Sequence, residues 1–214
     1  MKIIEPSIIT ELDIVLDLLP LINLSKSEDS DIYAKHIKGI TLNDDDISKI
    51  CCKEVIFENC KFIDCLLQKS EFIDVIFKSC DLSNSNFNDG YFNKCQFNSC
   101  KAVGVNLQNC NFKNISIINS NFKYANFDTS KLNNIIITES ELSNANISEC
   151  KLINLQLEYV NFINTSFFKT PLKGIDFTQN QIDGIIVSSG DLKGAIVSAN
   201  QAAELAKLLG LIVK

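Results

Sequence analysis

The stretch Asn121-Phe122-Lys123-Tyr124-Ala125-Asn126-Phe127-Asp128-Thr129 places two phenylalanines five residues apart, with the small Ala125 two residues before the second. The same spacing runs outward in both directions. Thirteen of the fourteen phenylalanines fall on this one register, from Phe57 to Phe177, and every other residue of the register between Leu42 and Val197 is apolar. A helix would return apolar residues every three or four positions and a half-buried strand every two. A strict five requires the chain to turn a corner after each unit and so to coil. Residues 40–199 make 32 such units in phase, without insertion or deletion. One continuous repeat architecture follows.

A second register lies two residues before the first and is mostly small or β-branched, as at Cys60, Cys65, Ser70, Val75, Ser85, Ala125, Ala145 and Thr165. A large and a small residue of each unit can then point inward, while the other three, rich in Asn and Lys, face water. Gly104, Gly174, Gly184 and Gly194 each end a unit, where a positive φ helps the corner.

Seven of the nine cysteines occupy the small inward register, and Cys60, Cys80 and Cys100 stand twenty apart. Parallel stacked side chains do not reach disulfide geometry, so free buried thiols are expected. No C-x-x-C pair is present, and no metal site is expected. All twenty basic residues are lysine, and the net charge is −6. Without arginine there is no bidentate fork for phosphate or guanine, so direct nucleic-acid binding is not expected and a basic partner is favoured. The one histidine, His36, offers no catalytic constellation, and neither a catalytic residue nor a cofactor is expected. The absence of a long apolar run and of a signal-peptide layout points to a soluble, cytoplasmic protein that does not enter a membrane.

Three segments are expected: a capping segment at 1–39, the repeats at 40–199, and a helix and tail at 200–214. In the first, Thr10-Glu11-Leu12-Asp13 resembles a capping box ahead of Ile14, Val15, Leu18 and Leu19, which predicts a short helix ending before Pro20. In the last, Asn200 to Gly210 predicts a helix closed by glycine, whose apolar residues would cap the final coil and support a dimer contact. Sorting charges by position within twenty puts seven lysines against four acids on the face centred on Phe72, Phe92 and Phe112. The other three faces carry fourteen acids against seven lysines.

The units, a small residue, Asp or Asn, Leu or Phe, then two polar residues, resemble the pentapeptide-repeat pattern. That resemblance implies an all-β, right-handed quadrilateral parallel β-helix of four units per coil and about eight coils, roughly 38 Å long at about 4.8 Å per coil. The tail Asn200-Gln201-Ala202-Ala203-Glu204-Leu205-Ala206-Lys207-Leu208-Leu209-Gly210-Leu211 and the stretch Leu172 to Asn180 are similar to the quinolone-resistance (Qnr-like) proteins of Gram-positive bacteria. So are the N-terminal segment and the unbroken acidic prism. This likeness implies a homodimer joined tail to tail through Ala202, Leu205, Leu208, Leu209 and Leu211. It also implies an acidic rod that mimics DNA and engages DNA gyrase or topoisomerase IV. The acidic side nearest the dimer centre, Glu139, Glu141, Glu158, Asp176 and Asp183, is then the candidate partner-binding surface. The alternative is a non-catalytic interaction scaffold for another partner.

Overall fold

The computed structural model describes residues 3–213. In chain order the elements are β1 (Asp13–Val15), α1 (Leu19–Glu28), β2 (Ile32–Tyr33), β3 (Lys35–Lys38), β4 (Thr41–Asn43), β5 (Cys51–Glu58), β6 (Lys61–Ile63), β7 (Glu71–Lys78), β8 (Tyr91–Asn98), β9 (Asn111–Ile118), β10 (Lys131–Thr138), β11 (Lys151–Glu158) and α2 (Ala199–Ala206). They form a parallel β-solenoid with a register of twenty residues per coil, as in Phe72↔Phe92 and Phe92↔Phe112. One nine-stranded parallel sheet, in the order β1-β3-β5-β7-β8-β9-β10-β11 with β2 also on β5, wraps two sides of the prism. Single bridges such as Asn121↔Glu141 and Asn126↔Asn146 tie the other two.

The corners are made by the last residue of each unit, which takes a left-handed conformation from Asp44 (φ 57°) to Lys169 (φ 54°). For an L-residue this costs about 1–2 kcal/mol, least for Asn and Asp, which recur there. Core burial offsets it. The five-residue register is buried, apart from Leu152, Val187, Leu192 and Val197, which are partly buried, and its rings stack from coil to coil: Phe57 on Phe77 at 5.1 Å, and Phe72 on Phe92 at 5.0 Å between centroids. The small register is equally buried and links coils through its heteroatoms. The Ser130 hydroxyl accepts from the Cys110 N–H at 2.9 Å and donates to the Leu107 carbonyl at 2.8 Å. Cys95, Cys110 and Cys150 donate their thiols to the carbonyls of Phe72, Phe87 and Phe127 in the same way. All nine cysteines are free.

The N-terminal segment departs from expectation. Asp13 to Val15 is a strand on β3, and the helix begins at Leu19 with Pro20 in its first turn, where a missing N–H costs nothing and the fixed φ suits the helix. The capping box does not form, because the Asp13 N–H bonds to the Ala34 carbonyl across the sheet. The twenty-residue register also starts earlier than Ile40: Ile32 pairs with Cys52 and Ile37 with Phe57. Leu18 and Ile22 of this segment are buried against the first coil.

At the other end, Ser198 and Gln201 close a reciprocal capping box on α2, and a tight turn at Lys207–Leu209 ends at Gly210 (φ 75°). The Gln201 amide donates to the carbonyls of Phe177 and Asn180, both at 2.8 Å, which fixes the helix on the last coil. Among the described residues no helix is long and apolar enough to cross a membrane.

The five-residue phase is unbroken, but the hydrogen bonding is not. Asn119 N–H donates to the Thr138 carbonyl and Glu139 N–H to that of Glu158; the next bond of this ladder, from Tyr159 to Thr178, is not made. Ile196 N–H donates to the Ile175 carbonyl, yet Asp176 N–H does not reach Leu155. No strand pairs with the outer edge of β11 among the described residues. Pro171 stands where Lys131 and Lys151 donate to the coil beneath and has no N–H to give. The coils stay joined on the other two sides by Asn161↔Gln181 and Ser166↔Ile186. The result is a seam open on two sides.

Candidate functional site

The five candidate acidic residues separate into two grooves and one isolated position. Glu139 and Glu141 line a groove of about 540 Å³ with Asn119, Tyr159 and Gln181. Glu158 and Asp176 line the seam, a cleft of about 400 Å³ floored by Leu155 and Leu157. Asp183 is exposed and lines neither of these two grooves.

Hydrogen bonds hold three of the carboxylates. Glu141 accepts from the Ser143 N–H at 2.8 Å and from the Asn161 amide at 3.0 Å, so it is fixed across two coils. Glu158 accepts from the Gln156 amide at 2.9 Å. Asp176 accepts from the Thr178 hydroxyl at 2.6 Å and its N–H at 2.9 Å, and these bonds hold its carboxyl below the usual carboxylate range. The Glu139 backbone N–H donates to the Glu158 carbonyl, which sets the two groups on adjacent coils.

Ion pairs neutralise part of the acid along the rod. Toward the N-terminus, Glu58 meets Lys78 at 3.0 Å, His36 at 3.0 Å and Lys38 at 3.4 Å; the bond from Lys78, with that from His36, holds its carboxyl down at about 2. Asp74 pairs with Lys94 and Asp81 with Lys101, each one coil apart. None of the five candidates has a lysine within 4.0 Å among the described residues; toward the C-terminus Glu149 pairs with Lys169 and Glu204 with Lys207. The five candidates therefore present unneutralised charge. Among the described residues Lys113, Lys131, Lys151 and Lys173, on the lysine-rich face, have no carboxylate partner within that distance either.

The proposed dimer face is divided as well. Leu205 is half-buried against the core, and Ala202 is exposed. Leu208 and Leu211 are 51% and 57% exposed, and Ile212 and Val213 extend the same apolar end. The side chain of Leu209 lies outside the described residues.

Sequence reading missed the seam. Its lining residues, Leu155, Gln156, Gly174 and Thr178, carry no motif. The available signal was Pro171 at the position where β10 and β11 begin in the coils beneath, where proline removes a ladder bond.

Residues 70–147 match the family described as Pentapeptide repeat region, and residues 140–179 match Pentapeptide repeats (8 copies). Together these span residues 70–179, just over half of the chain. No curated protein matches it. Among solved structures the chain is similar to full-length QnrB1, a plasmid-mediated fluoroquinolone resistance protein. Identity is 21%, the TM-score 0.43, and coverage 83% of this chain and 91% of that one. It is also similar to Rfr23, a pentapeptide repeat protein from the cyanobacterium Cyanothece 51142. There identity is 12%, the TM-score 0.41, and coverage 70% of this chain and 99% of that one.

Proposed function

We propose, from the premise that this chain belongs to the pentapeptide-repeat family, that it is a non-catalytic binding rod. Its C-terminal acidic surface engages the DNA-binding saddle of DNA gyrase or topoisomerase IV as a mimic of duplex DNA. The observation that carries this reading is the placement of Glu139, Glu141, Glu158, Asp176 and Asp183 on successive coils toward the C-terminal end, none with a lysine within 4.0 Å among the described residues. Fixed carboxylates on a regular prism need no loop to be ordered on binding, so a basic saddle is steered toward them at low entropic cost. Two copies meeting through Leu208 and Leu211 would bring two such acidic halves together about one axis.

The test is a gyrase supercoiling assay with purified protein, with and without a fluoroquinolone. The expected result is a change in supercoiling or in drug inhibition that weakens as salt rises. Protein that neither binds gyrase at low salt nor alters supercoiling would remove this reading.

A further inference from the structure

The seam between β11 and residues 171–178 has the features of a built site, and it does not depend on the topoisomerase reading. Three observations define it. First, the ladder bonds that every neighbouring coil makes are absent here, so the N–H groups of Leu157 and Tyr159 and the carbonyl of Leu155 have no backbone partner in the next coil. Second, the space is real at the corner as well as along the strand. A Cβ on Gly104 would lie 2.7 Å from the Asn84 side chain, and one on Gly184 would lie 2.4 Å from Asn164, each in the coil beneath. A Cβ on Gly174 would meet nothing within 4 Å. Third, the opening is bounded. The Thr170 hydroxyl accepts from the Cys150 N–H at 3.0 Å at one end, and the Asn180 side chain accepts from the Val160 N–H at 2.9 Å at the other.

We infer that this seam is a binding cleft for an extended, basic peptide segment of a partner protein, which adds to the free edge of β11 as a strand. An edge of unpaired N–H and C=O groups is a template for strand addition, in which the main chain supplies affinity and alternate side chains supply specificity. The floor, Leu155 and Leu157, takes the apolar side chains of such a segment. Glu158 and Asp176 line the same cleft and have no lysine within 4.0 Å among the described residues, so a lysine or arginine of the segment meets charge that those residues leave unpaired. The lined part of β11, Leu155 to Glu158, spans about 13 Å at roughly 3.3 Å per residue, which fits about four residues of extended chain.

The probe is a fluorescein-labelled, end-capped hexapeptide of alternating lysine and valine, measured by fluorescence anisotropy against the full chain. An alternating glutamate and valine peptide and a backbone N-methylated form of the first serve as controls. The lysine peptide should bind, and each control should bind about tenfold or more weakly, the loss expected from one or two hydrogen bonds or a charged contact. Hydrogen exchange should show the Leu157 and Tyr159 amides exchanging faster than those of Ile137 and Glu139 in the free protein and slowing when the peptide is bound. Pro171→Lys supplies the missing N–H donor and should slow those amides without peptide and weaken binding, while Glu158→Gln with Asp176→Asn should weaken binding about tenfold. The inference is overturned by no binding of the lysine peptide at millimolar concentration, by equal binding of the N-methylated form, or by binding that leaves the β11 amides unchanged. None of these outcomes bears on gyrase, so this cleft and the acidic-surface reading can fail separately.

Discussion

Phe77 and Phe97 lie one coil apart with ring centroids 4.9 Å from each other and planes 4° from parallel. Phe97 also meets Phe122 edge-on at 5.7 Å, so it joins two sides of the prism. Removing such a ring leaves a void that the coils above and below, tied by backbone bonds, cannot collapse into. Phe97→Ala should cost about 3–5 kcal/mol in urea or guanidinium unfolding. Asn98→Ala, one residue outward, should stay within about 1 kcal/mol. Equal midpoints for the two variants would contradict the inward register.

The buried thiols give the rod an alkaline limit. Burial pushes Cys95, Cys110 and Cys150 from an ordinary 9.0 up to about 12. A group whose folded pKa is raised stabilises the fold fully below its unfolded pKa and loses that contribution as pH climbs to the folded value. The unfolding midpoint should therefore fall between pH 9 and about pH 12. At pH 8 a bulky thiol reagent should leave these three unlabelled until denaturant is added. Rapid native labelling of Cys110 would refute the stacking.

Glu58 works at the opposite limit, with its carboxyl held down from 4.5 to about 2 beside Lys78, His36 and Lys38. A depressed carboxylate contributes above its unfolded pKa and is lost as pH falls through the folded one. Glu58→Gln should flatten the decline in stability between pH 4.5 and about pH 2 while leaving the alkaline side unchanged. An acid profile identical to that of the parent chain would show that the cluster is energetically silent.

Structure separates the two duties proposed for the C-terminal segment. Leu205 packs on the core, whereas Leu208 and Leu211 are exposed. Leu208→Glu with Leu211→Glu should yield a monomer by sedimentation with little change in unfolding midpoint, because neither residue is buried within one chain. Leu205→Glu should lower the midpoint as well, since a charge would be placed against apolar neighbours. A parent chain that is monomeric at high micromolar concentration would refute the tail-to-tail contact.

For the acidic surface, changing Glu139, Glu141 and Glu158 to Gln and Asp176 and Asp183 to Asn keeps size and, except at Glu141, where each oxygen accepts a separate bond, the accepted hydrogen bonds. Gyrase binding should weaken and lose part of its salt dependence. Changing Lys113, Lys131, Lys151 and Lys173 to Gln should leave it unchanged or strengthen it. The opposite ranking of the two sets would point to the lysine face as the contact.

The five-residue register made the prism and its inward residues legible because burial has only two outcomes, in or out, and Phe122 and Phe127 repeat that choice identically. The pairing of neighbouring coils is a different quantity. It depends on backbone N–H groups that no hydropathy pattern reports, so the seam, where Pro171 lacks one such donor, is open while Leu172 and Phe177 keep perfect phase and remain buried. Pro20 was read as the end of a helix, although proline is equally at home in a helix's first turn. The ion pairs were half legible. Sorting charges by face found the excess of acid, but Asp81 and Lys101 neutralise each other because they are stacked one coil apart, an alignment that a face total averages away.

The seam also decides how the rod bears force. Coils joined only to their neighbours carry tension along the axis in series, so the weakest junction sets the yield point. Between β11 and the following coil only two of four sides are bridged, with Thr170 and Asn180 at their margins. A rod stretched from its ends in a single-molecule instrument should part there first. It would release the last coils and α2 as one piece and leave the phenylalanine-stacked trunk intact.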